Sequence, residues 1–170
     1  MSHHIKSRPF VAVLYLLIST SAIGTEQKSE KMLRRSYSSA LLCALPAAEV
    51  IKVFGQKNTK GSSVAAAEFY TDSMDAFRVA IFTPALDVYG SKAKKVVMSF
   101  EQREKGFPGI VYGYFRGQAT SIVKKLKLNK SAQGLYSRAT PSANKICPPT
   151  LYLKSRGPGS FLLGCGWCND

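Results

Sequence analysis

Four cysteines constrain the fold of this 170-residue chain more than any other feature. They are Cys43, Cys147, Cys165 and Cys168. In an oxidising compartment an even number predicts two disulfides, and three connectivities are open. A redox pair is disfavoured because Cys165-Gly-Trp-Cys168 lacks the following helix that such pairs use, and a zinc site is disfavoured because it needs two close cysteine doublets. The cysteines therefore predict a domain stapled by structural disulfides.

The N-terminus indicates that the chain reaches such a compartment. Residues 1–24 have the three-part pattern of a secretory signal peptide, with Lys6 and Arg8 as the positive part, Phe10 to Ile18 as the apolar run, and small residues up to Gly24. A membrane anchor is the alternative, but a spanning helix needs about 20 apolar residues and this run is roughly half that. We expect cleavage after Gly24, secretion, and no association with membranes.

The segment that follows the signal peptide is polar and charged. We expect a flexible N-terminus over residues 25–40. Arg34-Arg35 within it is a dibasic site at which a protease could remove a short pro-segment, and a plain charged tail is the other interpretation. Residues 41–170 are enough for one domain and contain no second long apolar stretch.

The positive charge is concentrated in the C-terminal half of the chain. Residues 1–25 hold two basic residues and no acid, so their removal lowers the basic count from 24 to 22 against 10 acids, and the net charge from +14 to +12. No acid occurs between Glu104 and Asp170, whereas ten Lys or Arg lie between Lys105 and Arg156. Such a field attracts phosphate backbones and anionic surfaces. Basic secreted proteins without a nucleic-acid role also exist, so charge alone does not identify the ligand.

The apolar pattern predicts an α+β domain. Pro46 to Phe54 predicts a helix, because its apolar residues form a broad face and Gly55 follows. A second helix is predicted over Val64 to Arg78. Short strands are predicted from alternating, aromatic or β-branched runs over Val79 to Phe82, Val96 to Phe100, Ile110 to Phe115, residues 122–128, Thr150 to Ser155 and residues 160–165. The expected architecture is one N-terminal helix packed on a small antiparallel sheet.

Four segments, in their order along the chain, resemble segments of small fungal guanyl-specific ribonucleases. Residues 135–146, LYSRATPSANKI, are similar to the segment before the penultimate strand of that family, which has Tyr-Ser, two variable positions, a small hydroxyl residue, and then Pro-Gly-Ala-Asp-Arg-Val. Phe107-Pro108-Gly109 resembles the family's Tyr-Pro-His strand, and residues 159–165 resemble its final strand, which ends in a half-cystine. Cys43 takes the place of the N-terminal half-cystine.

The resemblance implies a microbial-ribonuclease-like fold over roughly residues 41–168. It places an insertion around residues 56–106, whose structure the sequence does not fix. It also implies a disulfide between Cys43 and Cys165, which leaves Cys147 to pair with Cys168.

The catalytic groups of that family do not carry over to this chain. Its chemistry needs a base for the 2′-hydroxyl, an acid for the leaving oxygen and a cation for the phosphate. The first His falls on Gly109, the Glu falls within Val123 to Lys127, and the Arg falls on Lys145, which lacks the bidentate fork. The last His falls near Ser155 or Arg156.

The resemblance therefore implies a pseudo-ribonuclease with no catalytic residue, metal or cofactor. The only histidines, His3 and His4, lie in the predicted signal peptide. With that signal, the chain is similar to the ribonuclease-like secreted effectors of powdery mildew fungi, which are delivered into plant cells. It departs from them in Leu41-Leu42-Cys43, where Leu41 takes the usual aromatic position. We expect a monomer, translocated into the host plant cell, whose partners are host RNA or ribosome-associated RNA, a host protein, or a plant immune receptor.

The predicted RNA-binding residues are Lys124, Lys125, Lys127, Lys145, Arg156, Tyr112 and Tyr114. On the ribonuclease-like scaffold the cations would border the former substrate groove, and the tyrosines would offer stacking faces to bases. The alternatives are tyrosines packed within the sheet and lysines on a solvated face.

Two further functions are open from the sequence. An active secreted ribonuclease-type enzyme would have its catalytic groups elsewhere, and Glu101, Arg103 and Glu104 form the charge cluster beside Phe107 that could serve it. A cationic toxin that acts on membranes would need a basic amphipathic helix with a strong apolar face, which the sequence lacks.

Overall fold

The computed structural model describes residues 27–56, 63–70, 75–101, 108–131, 135–141 and 148–167. These residues form three helices, α1 (27–41), α2 (Ala47–Gly55) and α3 (Ala119–Leu126). They also form eight strands, β1 (Val64–Tyr70), β2 (Asp75–Val88), β3 (Ser91–Glu101), β4 (Pro108–Arg116), β5 (Asn129–Lys130), β6 (Leu135–Ala139), β7 (Thr150–Gly157) and β8 (Ser160–Gly166). All the strands pair antiparallel in one sheet, in the order β1-β2-β3-β4-β8-β7-β6-β5.

The predicted α+β class is confirmed, but the predicted number of helices and size of the sheet were wrong. The sheet dominates, and the helices on it are three rather than one within the described ranges. The helix predicted after Pro46 is confirmed as α2, and five predicted strands lie within β2, β3, β4, β7 and β8. The microbial-ribonuclease-like architecture stays a prediction.

The two longest strands, β2 and β3, form a hairpin whose turn is encoded locally. Tyr89 and Gly90 occupy the turn with φ of 53° and 83°, a left-handed conformation that glycine adopts at no steric cost. The Asp87 carboxylate accepts a hydrogen bond from the Gly90 N–H at 2.8 Å and also pairs with Lys92 across the hairpin. These contacts fix the register in which the two strands meet.

Successive side chains of a strand point to opposite faces, so the sheet has an inner face beneath the helices and an outer face away from them. On the inner face the Phe115 and Phe161 rings stack with centroids 5.4 Å apart, and each residue is 1 % exposed. All three helices add buried residues to this core, among them Val50 of α2 and Ile122 of α3. The apolar area removed from water here is the main source of stability.

Helix α1 overturns the prediction of a flexible segment for residues 27–40. Tyr37 is 2 % exposed, and its ring meets the rings of Phe54 and Phe82 edge-on at 4.9 and 5.1 Å. Arg34, the first residue of the dibasic pair, lies over the Phe82 ring, 5.6 Å from its centroid. The polar composition concealed an amphipathic helix that packs against the core.

The helix predicted over Val64 to Arg78 is wrong, because this segment forms β1 and the beginning of β2. The two strands pair in continuous register, with Val64 opposite Phe82. A run of alanines has little preference for a strand, so pairing with β2 decides its conformation. Three consecutive strands of the same sheet, over residues 64–70, 75–88 and 91–101, therefore lie where an insertion was expected.

The strand predicted over residues 122–128 is also wrong, because α3 covers most of it. Ile122 and Leu126, four residues apart, are both buried, while Lys124 and Lys125 are exposed. This spacing follows the helical period of 3.6 rather than the strand period of two. Lys127 ends the helix in a left-handed conformation with φ of 51°.

The predicted disulfide between Cys43 and Cys165 is confirmed. It joins the turn after α1 to β8 across a sequence separation of 122 residues. Since Cys165 is used, a bridge between Cys165 and Cys168 is excluded. The second predicted pair, Cys147 with Cys168, lies outside the described residues, as does the predicted signal peptide. None of the described helices is long and apolar enough to span a membrane.

Candidate nucleic-acid interface

A pocket of about 410 Å³ opens on the outer face of the sheet, across β4, β8, β7 and β6. Its floor follows one row of paired residues, in which Tyr112 lies opposite Gly164 and Gly164 lies opposite Tyr152. In the next row Tyr114, Leu162 and Lys154 are opposite one another. The lining residues are Ile110, Tyr112, Tyr114, Leu135, Tyr152, Lys154, Arg156, Leu162 and Gly164.

Two glycines of β8 leave room for the tyrosine rings. A Cβ at Gly164 would lie 2.8 Å from both Cα and Cβ of Tyr112, so only glycine lets β4 lie this close. A Cβ at Gly166 would lie 2.9 Å from two ring carbons of Tyr152, so this ring covers the glycine. The sequence Gly164-Cys165-Gly166 thus shapes the pocket on one face while Cys165 holds the disulfide on the other.

Three tyrosines give the pocket its aromatic character. The rings of Tyr112 and Tyr114 meet edge-on with centroids 5.7 Å apart, and Tyr114 is 44 % exposed. Partial burial raises the pKa of Tyr112, with a smaller contribution from Tyr114, and burial also raises the pKa of Tyr152. Both groups therefore remain neutral phenols at physiological pH, when they can donate hydrogen bonds but cannot act as bases.

Cations surround these rings. Lys154 and Arg156 line the pocket from β7, and the Lys95 ammonium lies over the Tyr114 ring, 5.5 Å from its centroid. Beyond Tyr114 a second groove of about 450 Å³ adds Lys92 and Arg116. The Lys92 charge is offset by its ion pair with Asp87. The positive charge beside the tyrosines therefore comes mainly from Lys95, Lys154 and Arg156.

The described lining of this pocket contains no carboxylate and no imidazole. Imidazole and carboxylate groups are the commonest general acids and bases, and the described lining lacks both. Among the described residues, no three His, Cys, Asp or Glu side chains lie close enough to hold a metal ion. The arrangement can stack planar groups and hold anions.

Three of the predicted site residues, Tyr112, Tyr114 and Arg156, meet in this pocket. Lys124 and Lys125 are on α3 instead, and Lys125 Nζ lies 4.5 Å from the centroid of the Tyr89 ring. Lys127 follows that helix and is exposed; like the other two lysines, it is not among the residues that line the pocket. The remaining predicted residue, Lys145, lies outside the described residues.

The sequence analysis missed Tyr152, Lys154 and Lys95. Tyr152 and Lys154 alternate with Arg156 along β7, so a two-residue period applied to that strand would have found them. Lys95 had no comparable signal, because its place depends on a register shift between Ala93 and Val96 in the pairing of β3 with β4. The charge cluster suggested for an active enzyme lies outside the described part of the chain, which excludes Arg103, Glu104 and the side chain of Glu101.

Comparison of the chain with protein-family models, with curated proteins and with solved structures finds no match.

Proposed function

We propose that this protein is a secreted, catalytically inactive, ribonuclease-like effector that binds single-stranded or looped RNA on the outer face of its sheet. One observation carries the proposal: tyrosines share one pocket with Lys154 and Arg156, and its described lining contains no carboxylate. Bases stack on aromatic rings with little dependence on sequence, and each such contact contributes about 1–3 kcal/mol. Lys154 and Arg156 would hold the phosphates that follow each base.

The absence of acids around the pocket supports a polyanionic ligand. The strands β4, β6, β7 and β8 contain no Asp or Glu, whereas Arg116, Lys154 and Arg156 lie on their outer face. A phosphate backbone that approaches this face meets no carboxylate from these four strands. The same field would attract an acidic host protein, which is the second partner class in the proposal.

The proposed lack of catalysis is supported by the types of residue that line the pocket. Tyr112 and Tyr152 keep their protons at neutral pH, and the histidines of the chain lie at positions 3 and 4. Cleavage at a 2′-hydroxyl needs a base and an acid, and the described pocket offers neither. We therefore expect RNA to leave the protein unchanged.

Two double variants of equal charge test the site. Lys154→Gln with Arg156→Gln removes two cations from the pocket, and Lys124→Gln with Lys125→Gln removes two from α3. Affinity for a short unstructured RNA is measured by fluorescence anisotropy over a series of salt concentrations. We expect the pocket variant to weaken binding and to lower the slope of log Kd against log salt by about one per cation removed, and the helix variant to change both much less.

The outcomes separate the candidate functions. Equal losses in both variants would mean that the field of the whole protein attracts RNA without a specific face. No binding at any salt concentration would overturn the RNA proposal and leave the protein partner to be sought. Cleavage products in the same samples, above a denatured control, would show an active enzyme with catalytic groups outside the described residues.

A further inference from the structure

A tripeptide at the edge strand β5 points to a covalent modification. Residues 129–131 read Asn-Lys-Ser, the acceptor pattern for N-glycosylation. None of the other asparagines, Asn58, Asn144 and Asn169, has Ser or Thr two positions later. We propose that Asn129 carries an N-linked glycan, an inference that rests on the secretion included in the proposed function.

The side chain of Asn129 is free to carry such a group. Asn129 is exposed, and its backbone pairs with Ser137 at the last strand of the sheet order. Its amide makes no hydrogen bond with the described residues. A glycan on this nitrogen would therefore project into solvent without displacing any contact of the core.

The hydroxyl of the acceptor pattern is much less accessible. The Ser131 N–H donates a hydrogen bond to the Leu135 carbonyl at 2.6 Å, where the chain turns back into β6. The Ser131 Oγ is buried and has no hydrogen-bond partner among the residues that the structure describes. Since a transferase must reach the hydroxyl that defines the pattern, it must act before β5 and β6 close into their hairpin. The modification therefore belongs to the unfolded chain during its passage through the secretory route.

The oligosaccharide is transferred to Asn129 from a lipid diphosphate-linked donor. The Asn129 amide nitrogen forms a bond to the anomeric carbon of the first sugar and loses one proton to a base of the transferase. The bond between that carbon and the diphosphate oxygen breaks, and its electron pair leaves with the lipid diphosphate. Neither oxidation nor reduction takes place.

The position of the glycan has two physical consequences. Edge strands expose backbone groups that can pair with another chain, and a bulky hydrophilic group beside β5 blocks such pairing. The exposed lysines Lys124, Lys125, Lys127 and Lys130 lie on or near the same α3–β5 segment. A glycan there would also hinder a polyanion from reaching these lysines. Because Asn129 lies in the same cross-strand row as Ser137 and Tyr152, the glycan would also border the outer-face pocket on its β5 side.

The test uses the full chain expressed in a secreting yeast. The mass of the protein secreted into the medium is measured by mass spectrometry before and after treatment with peptide-N-glycosidase. We expect the wild-type protein to lose the mass of one glycan and to show Asp at position 129 afterwards. Asn129→Gln and Ser131→Ala should lack the glycan, and Ser131→Thr should retain it. Ser137→Ala is the matched control, because it changes the strand partner of Asn129 and keeps the acceptor pattern.

The outcomes distinguish this inference from its premise. Secreted wild-type protein with an unmodified Asn129 would overturn the inference and leave secretion standing. A chain found only inside the cell, without a glycan, would overturn both. A glycan that persists in Asn129→Gln would place the modification elsewhere. RNA binding is measured separately on the same preparations, so neither result substitutes for the other.

Discussion

The inner and outer faces of this sheet belong to the same strands but differ in what covers them. On β8, Leu163 is 1 % exposed beneath the helices, whereas its neighbour Leu162 lines the open pocket. On β4, Phe115 lies in the core while Tyr114 is 44 % exposed. A stabilising residue and a candidate binding residue thus occupy successive positions. Because side chains alternate between the two faces, substitutions at neighbouring positions test stability and the proposed recognition separately.

The largest expected effect is the loss of stability when the disulfide between Cys43 and Cys165 is removed. Replacing Cys43 and Cys165 together by alanine opens a loop with a sequence separation of 122 residues. The chain-entropy model gives a loss of roughly 4–5 kcal/mol in the free energy of unfolding, which urea denaturation would measure. The outer-face variant Tyr114→Ala is the control and should unfold near the wild-type midpoint. A bridge-free protein as stable as wild type would contradict this dependence.

The next effect compares two neighbours on β8. Leu163→Ala leaves a cavity in the core and should lower the free energy of unfolding by about 2–5 kcal/mol, with RNA affinity intact at low denaturant. Leu162→Ala should lower it by about 1 kcal/mol or less, because this side chain faces the open pocket, but should weaken RNA binding. Urea denaturation and RNA titration of both variants provide the measurements. Equal stability losses would mean that the outer face is packed as tightly as the inner one.

A smaller effect concerns the two glycines beneath the pocket. In Gly164→Ala the new Cβ would meet backbone atoms of β4, so we expect a loss of about 1–3 kcal/mol in the free energy of unfolding. In Gly166→Ala it would meet mainly the Tyr152 ring, which can rotate away, so the loss should be smaller while RNA affinity falls. Denaturation curves and RNA titrations of the two variants are compared directly. A Gly166→Ala protein with full RNA affinity would remove Tyr152 from the site.

The smallest expected effect is a loss of stability that is absent at neutral pH and develops at alkaline pH. Burial raises the pKa of Tyr37 to about 12, whereas an unfolded tyrosine ionises near 10. The folded state therefore binds more protons between these values, so the stability from Tyr37 is complete below pH 10 and is lost as the pH rises toward 12. Denaturation midpoints measured across this range should decline, and Tyr37→Phe should reduce the decline. Tyr152→Phe, on the outer face, should reduce it less; the reverse order would contradict the contrast between the faces.

Sequence patterns predicted best the elements that a local period defines. The strands over Ile110 to Phe115 and Thr150 to Ser155 are present because each run has side chains for both faces. The chain between Val64 and Arg78 was misjudged because alanines suit either conformation and the partner strand decides. Residues 122–128 were misjudged because lysine and leucine alternate from Lys125 to Leu128, while the buried Ile122 and Leu126 follow the helical period. A short segment of mixed periodicity needs its tertiary contacts to be decided.

The candidate site was predictable only where one strand carried the signal. Tyr112, Tyr114 and Arg156 were identified from their own segments and do meet on the outer face. Lys95 joins them through sheet register and a bulge, which no local pattern records. The lysines of α3 had the right charge but are on a different element, since a charge run does not determine which surface it will occupy.

The strand order divides the sheet into two four-stranded meanders, β1 to β4 and β5 to β8, in which neighbours in space are neighbours in the chain. Among the described strands, only β4 and β8 join segments that are distant in sequence. Local hairpins close on the order of microseconds, whereas pairing between distant segments is slow. Folding should therefore end with the docking of the two meanders. The first meander supplies Tyr112 and Tyr114, and the second supplies Tyr152 and Lys154, so the candidate binding surface forms only at that docking step. A ligand bound across it would stabilise the contact between the two meanders.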